Sequence, residues 1–255
     1  MTRIICDTMI WYELSKGKLQ IPDENEYTLV CTHLSLMELA FTRNVYKNIQ
    51  DVQKVIKCIM DIKPIFIMHI PDDYILTLID EKYDFKYDLE DDLIMGFLKM
   101  INNYKEKELI EGEFKEHFDS IAERRKSSGK ERTDYLNDFY KPFKEISYVF
   151  KKYPTTEIDK QFFRQKFIHE FNESNDTMYS ENNFNWTNIE FYEKINIKYR
   201  RNLMITKMKA EPNDENDLRN MIYVLPNDKY WTLEKRWLAM AKEIKLTQYL
   251  FEPKF

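Results

Sequence analysis

Two kinds of apolar pattern alternate at both ends of the chain, and a long charged stretch separates them. Arg3 to Cys6 is a short apolar run rich in β-branched residues that stops at Asp7, which predicts a buried strand. Met9 to Lys16 repeats at helical spacing and ends at Gly17. Thr28 to Thr32 reads as a second buried strand. Ser35 to Glu38 has the SxxE spacing of a capping box and predicts a helix running through Thr42. Asn44 to Asp61 continues at helical period, with Val45, Ile49, Val52, Val55, Ile56 and Ile59 on one side, and Pro64 stops it. Ile65 to Ile70 predicts a third strand and Asp72 to Ile79 a helix.

The pattern changes from about Tyr83 to Leu203. Long amphipathic stretches rich in Lys, Glu, Phe and Tyr predict about five helices: Asp91 to Tyr104, Leu109 to Arg124, Thr133 to Tyr153, Ile158 to Asn172 and Asn188 to Leu203. Ser127-Ser128-Gly129 and Pro154 are the expected breaks. Strand and helix signals then return. Glu211 to Glu215 reads as a connector and Asp217 to Leu225 as a helix ended by Pro226. Lys229 to Thr232 is an expected strand, Glu234 to Lys245 a helix and Gln248 to Phe251 a last strand. Strands alternating with helices imply a parallel sheet with right-handed crossovers. The expected organisation is one α/β domain in two halves, 1–82 and 205–255, around a helical insertion at 83–204.

Composition narrows the possibilities. Of the 255 residues, 43% are hydrophobic and 33% charged, a globular balance. Four glycines are too few and too scattered for a phosphate-cradling loop. Cys6, Cys31 and Cys58 lack ligand spacing and read as buried reduced thiols. The apolar start is broken at once by Asp7, unlike a secretion signal, and there is no apolar run of membrane-spanning length, so a cytoplasmic protein without membrane contact is expected. The net charge of -5 argues against coating nucleic acid by bulk charge and leaves room for a local basic surface. One candidate is the stretch from Glu193 to Lys209, which holds six bases and one acid. There Lys198, Arg200, Arg201 and Lys207, with Tyr199 interleaved, could track a phosphate backbone. His33 and His69 flank apolar runs and read as structural.

Four acids stand out by position. Asp7 ends the first strand, Glu38 lies in the helix after the second, Asp217 opens a helix and Glu234 sits just past the Lys229 to Thr232 strand. Sites in open parallel sheets form beyond the carboxyl ends of the strands. Taken singly, each acid can be explained as a cap or as a first-turn answer to a helix dipole. Taken together they would repel one another unless a cation held them, and carboxylate oxygens suit Mg²⁺ or Mn²⁺.

The blocks IICDTMIWYEL, LVCTHLSLMELAF, DLRNMIYV and KYWTLEKRW resemble, in order, the four motif blocks of the PIN-domain nucleases. The resemblance covers roughly residues 1–80 and 205–255. It implies a PIN-like, three-layer, Rossmann-like parallel sheet flanked by helices, here with a large all-helical insertion. It also implies a divalent-metal-dependent ribonuclease acting on RNA, or on single-stranded DNA. Asp7, Glu38 and Asp217 match the family's metal-binding acids, with Asp214 and Glu215 as alternatives for the third, and Glu234 completes the cluster. Thr8 and Thr232 could bond a carboxylate or the phosphate. Met9 stands where the family often has Asn, and Glu234 where it usually has Asp. The alternative is an inactive PIN-like module that binds RNA or a protein partner, or forms a homodimer, through the helical middle.

Overall fold

The computed structural model describes residues 1–42, 48–80, 83, 89–103, 113–152 and 157–253. Four parallel strands, β1 (Thr2–Cys6), β2 (Tyr27–Thr32), β3 (Ile65–Ile67) and β4 (Lys229–Trp231), pair in the order β3-β2-β1-β4. The central strands are apolar on both sides because helices cover both faces. Ile5, Val30, Ile67 and Tyr230 enter one core. Ile4, Cys6, Leu29, Cys31 and Trp231 enter the other. Burial pushes the Cys6 and Cys31 thiols up, so both stay protonated.

The helices are α1 (Thr8–Ser15), α2 (His33–Ala40), α3 (Ile49–Ile62), α4 (Pro71–Ile79), α5 (Leu89–Asn103), α6 (Glu113–Glu145), α7 (Ser147–Lys152), α8 (Glu157–Asn175), α9 (Glu190–Ile205), α10 (Asp214–Asn220) and α11 (Lys235–Glu243). None among the described residues is long and apolar enough to cross a membrane. Val52, Val55, Ile56 and Ile59 of α3 and Ile94, Leu98 and Ile101 of α5 line the second core. Helix α9 packs on the sheet from the other side, with the Phe191 ring 5.9 Å from that of Tyr230 and Tyr199 5.6 Å from Trp237. The expected helix starts at Asn44 and Leu109, and the break at Pro154, lie outside the described residues.

Strand β3 stops at Ile67 rather than Ile70, and α10 starts at Asp214, inside the expected connector, so Asp217 lies in its first turn and does not open it. Three further elements differ more from the pattern-based expectation. Helix α2 opens at His33, not at a Ser35 cap: the buried Thr32 hydroxyl accepts from the Ser35 amide at 3.3 Å, and the Ser35 hydroxyl donates to the Cys6 carbonyl at 3.2 Å. Glu38 is thereby released from the capping-box role. The stretch at Ser127-Ser128-Gly129 does not break the chain, since α6 runs unbroken for 33 residues. A helical glycine costs only about 1 kcal/mol, and a Cβ at Gly129 would meet the Pro212 carbonyl oxygen at an ordinary contact distance of 3.5 Å, so the helix passes Pro212 without strain. Finally, Gln248 to Phe251 is no strand. The chain leaves α11 through Lys245 in the left-handed region (φ 60°), and Thr247–Tyr249 forms a 3-10 turn. A single parallel bridge then joins Leu250 to Tyr230.

Thr32 also donates to Asn220 Oδ1 at 2.7 Å, tying the end of β2 to the end of α10. Thr32→Ala removes the cap and leaves the Asn220 amide oxygen without this bond. It is expected to lower the unfolding free energy by about 1–3 kcal/mol, read as a lower urea midpoint at unchanged slope.

Candidate functional site

Strand order reverses between β1 and β4: from β1 the chain builds outward through β2 to β3, then returns to add β4 on the other side. Such a switch point opens a crevice beyond the strand ends. Asp7 leaves β1 there and Thr232 to Glu234 leave β4, set side by side by the Cys6–Trp231 pairing. Helices α2 and α10 bring Glu38 and Asp217 to the same cleft, which measures about 1080 Å³.

None of the four acids makes the side-chain bond that would explain it as a helix cap. Asp7 stands at the N-cap of α1 without a capping bond and instead accepts from the Thr232 hydroxyl at 2.7 Å. Glu38, in the second turn of α2, accepts from the Thr8 hydroxyl at 2.6 Å. Asp217 accepts from the Trp237 indole N–H at 3.1 Å. Glu234 stands at the N-cap of α11, again without a capping bond, and its side chain is 42% exposed at the cleft mouth.

Electrostatics shows that the acids share one space. Burial first, then the charges of Asp7, Glu234 and Glu38, push the Asp217 carboxyl up to about 8, against a smaller pull from the Trp237 N–H. Burial also raises Asp7; the Thr232 hydroxyl opposes it, Glu234 reinforces it, and the nearby Met9 and Thr8 amides oppose it more weakly. A second compensating charge comes from Arg236. Its Nη2 lies 2.6 Å from Asp214, 3.3 Å from Glu234 and 3.8 Å from Asp217, and its guanidinium stands 4.5 Å from the Trp237 ring centre.

Asp214 is separated from the other acids by its bonding. It is buried, accepts from the Tyr199 hydroxyl at 2.7 Å and the Glu211 amide at 3.0 Å, and faces Arg236. Both its oxygens are directed at protein groups. Among the described residues no three His, Cys, Asp or Glu side chains are grouped so as to grip one ion. The donor chemistry of Asp7, Glu38, Asp217 and Glu234 nevertheless fits a hard cation, being carboxylate oxygen only. The guanidinium of Arg236 supplies part of the positive charge that such an ion would bring.

Of the expected nucleic-acid contacts, Thr8 lines the cleft, and Thr8 and Thr232 donate to the Glu38 and Asp7 carboxylates. Lys198 pairs with Glu243, Arg200 donates to Asn196 at 2.6 Å, and Arg201 donates to Asp159 and to the Phe150 carbonyl. Tyr199 is buried. These side chains hold α9 in the core and do not line the cleft, and Lys207, though exposed, does not line it either. Two functional groups escape the sequence pattern, Arg236 and the Trp237 indole. Their signal is proximity to Glu234, two and three positions on. The bases on the cleft are instead Arg219 of α10, which pairs with Asp72 at 2.7 Å, and Arg124, Lys126, Lys130 and Arg132 of α6.

Comparison with protein-family models, with curated proteins and with solved structures finds no match to this chain.

Proposed function

We propose that the protein is a PIN-like, divalent-metal-dependent endoribonuclease that hydrolyses RNA phosphodiesters at the Asp7, Glu38, Asp217 and Glu234 cluster. One observation carries this reading: four acids without capping bonds meet at the sheet's switch point, closely enough that three of them raise the fourth. Arg236 offsets only part of this charge, at 3.3 Å from Glu234 and 3.8 Å from Asp217; a cluster held at the expense of its remaining mutual repulsion points to a cation partner.

Asp7, Glu38 and Asp217 would hold Mg²⁺ or Mn²⁺, and when bound the ion supplies a water of lowered pKa and positive charge for the phosphate oxygens. Thr232 and Thr8 fix the Asp7 and Glu38 carboxylates by donating to one oxygen of each. Trp237 does the same for Asp217. Glu234, the most exposed of the four, is placed to steer a water or a second ion at the mouth.

The test is cleavage of a mixed set of labelled RNAs by the purified chain in Mn²⁺, Mg²⁺ or EDTA. Cleavage with either metal and none in EDTA is expected; folded protein that cuts nothing in any metal would remove the nuclease reading.

A second reading, a binding module without catalysis, draws on an apolar groove of about 370 Å³ between α6, α8 and α9. Its rim includes the exposed Phe139, Ile158 and Phe162. RNA that is bound but never cut would favour it.

A further inference from the structure

The basic edge of α6, where the sequence pattern suggests only a break between helices, forms one wall of the cleft whose other wall carries the acids. Arg124, Lys126, Lys130 and Arg132 are all exposed, and among the described residues none of them is in an ion pair. Arg124 makes a single long hydrogen bond, to the Ser120 hydroxyl at 3.4 Å. At 3.6 residues per turn, Arg132 and Lys126 flank Gly129 on either side, and Gly129, Thr133 and Leu136 form the stripe between them. The neighbouring acids of the helix, Glu123 and Glu131, do not line the cleft.

This wall is held in register with the acidic one. Asn137 donates to the Ala210 carbonyl at 3.1 Å and accepts from the Ala210 amide at 2.8 Å. Lys144 donates to the Met208 carbonyl at 2.9 Å. The 208–212 segment leads directly into α10, which carries Asp217. The bonds from Asn137 and Lys144 therefore set the spacing between the bases and the acids, as expected of a built site rather than a solvated helix face.

We propose that this edge of α6 seats the backbone of single-stranded RNA and delivers it to the acidic cluster. The proposal rests on the ribonuclease reading and names its substrate-binding part. A polyanion cannot approach a group of carboxylates unaided, and a facing row of guanidinium and ammonium groups offsets that repulsion. Met9 and Leu233, 50% and 42% exposed, flank Asp7 and Glu234 at the mouth and offer apolar surface to base faces. Only an unpaired strand presents such faces. The cleft volume lies at the upper limit of the roughly 300–1,000 Å³ common for small-ligand pockets, which suits several linked nucleotides better than one.

The test is fluorescence anisotropy of a labelled single-stranded RNA with the full chain in EDTA, where binding is read without cutting. The wild type is compared with a variant carrying Arg124→Ala, Lys126→Ala, Lys130→Ala and Arg132→Ala together. Alanine favours the helix, so the fold should persist, and circular dichroism checks it. The quadruple variant is expected to bind at least about tenfold more weakly, with a salt slope flatter by about 0.7 for each phosphate that no longer meets a cation. Lys207→Ala, off the cleft, should change neither. Unchanged affinity and slope in the folded quadruple variant would overturn the proposal even if cleavage of RNA stands. So would a wild type that binds no single strand, or one that binds duplex RNA equally well. RNA held through α6 but never cut in Mn²⁺ would support this inference while removing the nuclease reading.

Discussion

An Asp7→Asn variant is expected to cleave RNA in Mn²⁺ about 10²–10³-fold more slowly than the wild type, the scale seen when one preorganised electrostatic group is removed from a reacting centre. The substitution preserves shape. The amide oxygen can still accept from Thr232, so the bond between the ends of β1 and β4 survives. What disappears is the negative charge nearest the centre of the cluster. Burial already disfavours that charge, and Glu234 repels it. Neutralising it should leave the metal-free protein at least as stable as the wild type. Activity and stability therefore move in opposite directions, a signature that a merely structural acid would not produce. The decisive comparison is single-turnover cleavage beside urea unfolding of the same two preparations. A variant that keeps wild-type cleavage, or loses it only by unfolding, would remove Asp7 from the proposed site.

The second large effect is on stability as pH changes in EDTA. Asp217 is raised in the folded chain from the ordinary aspartate value near 4 to about 8. The folded state thus binds this proton more tightly than the unfolded state. The resulting stabilisation is complete below pH 4, declines as pH rises through the window between the two values, and is lost above about 8. Within that window the slope approaches about 1.4 kcal/mol per pH unit for one proton. Asp7, raised in the same direction, adds to it. Asp217→Asn should flatten this dependence. Added Mg²⁺ should stabilise the wild type more at the alkaline end, where the cluster carries its full charge. Urea midpoints at three pH values spanning the window measure both; an Asp217→Asn profile parallel to the wild type would show that Asp217 does not carry the proton.

The strands of the sheet were legible because they are short apolar runs with turn residues between them, and the central ones are buried on both faces. The acids were legible by position, three at strand-to-helix junctions and Asp217 near a helix start, and the structure does bring them to one cleft. Their freedom from capping was not legible. Whether Thr32 or Ser35 opens α2 depends on which hydroxyl is nearer the helix amides once β2 has paired, and Ser35 turns instead to the Cys6 carbonyl on the neighbouring strand. The basic wall was hidden for a related reason. Ser127-Ser128-Gly129 has the local chemistry of a break, but a helical glycine costs only about 1 kcal/mol and α6 runs through it, so that Arg124 and Arg132 reach the same cleft. The stretch from Lys198 to Arg201 misled in the opposite direction. Its charges are spent on Glu243, Asn196 and Asp159, partners remote in sequence or one turn away.

The failed strand at the end of the chain has its own consequence. Strand β4 lies at the edge of the sheet, where an open row of amides and carbonyls would recruit another chain. Phe251 donates its amide to the Tyr230 carbonyl at 2.9 Å, its ring meets that of Trp231 at 4.9 Å, and Lys229 reaches the Gln248 carbonyl. A segment that pairs at one point and then turns away shields the β4 edge without presenting a new one, so a second molecule cannot pair along that edge. Its irregularity guards this side of the sheet against self-assembly, and residues 247–253 are the stretch that any shortened version of this protein has to keep.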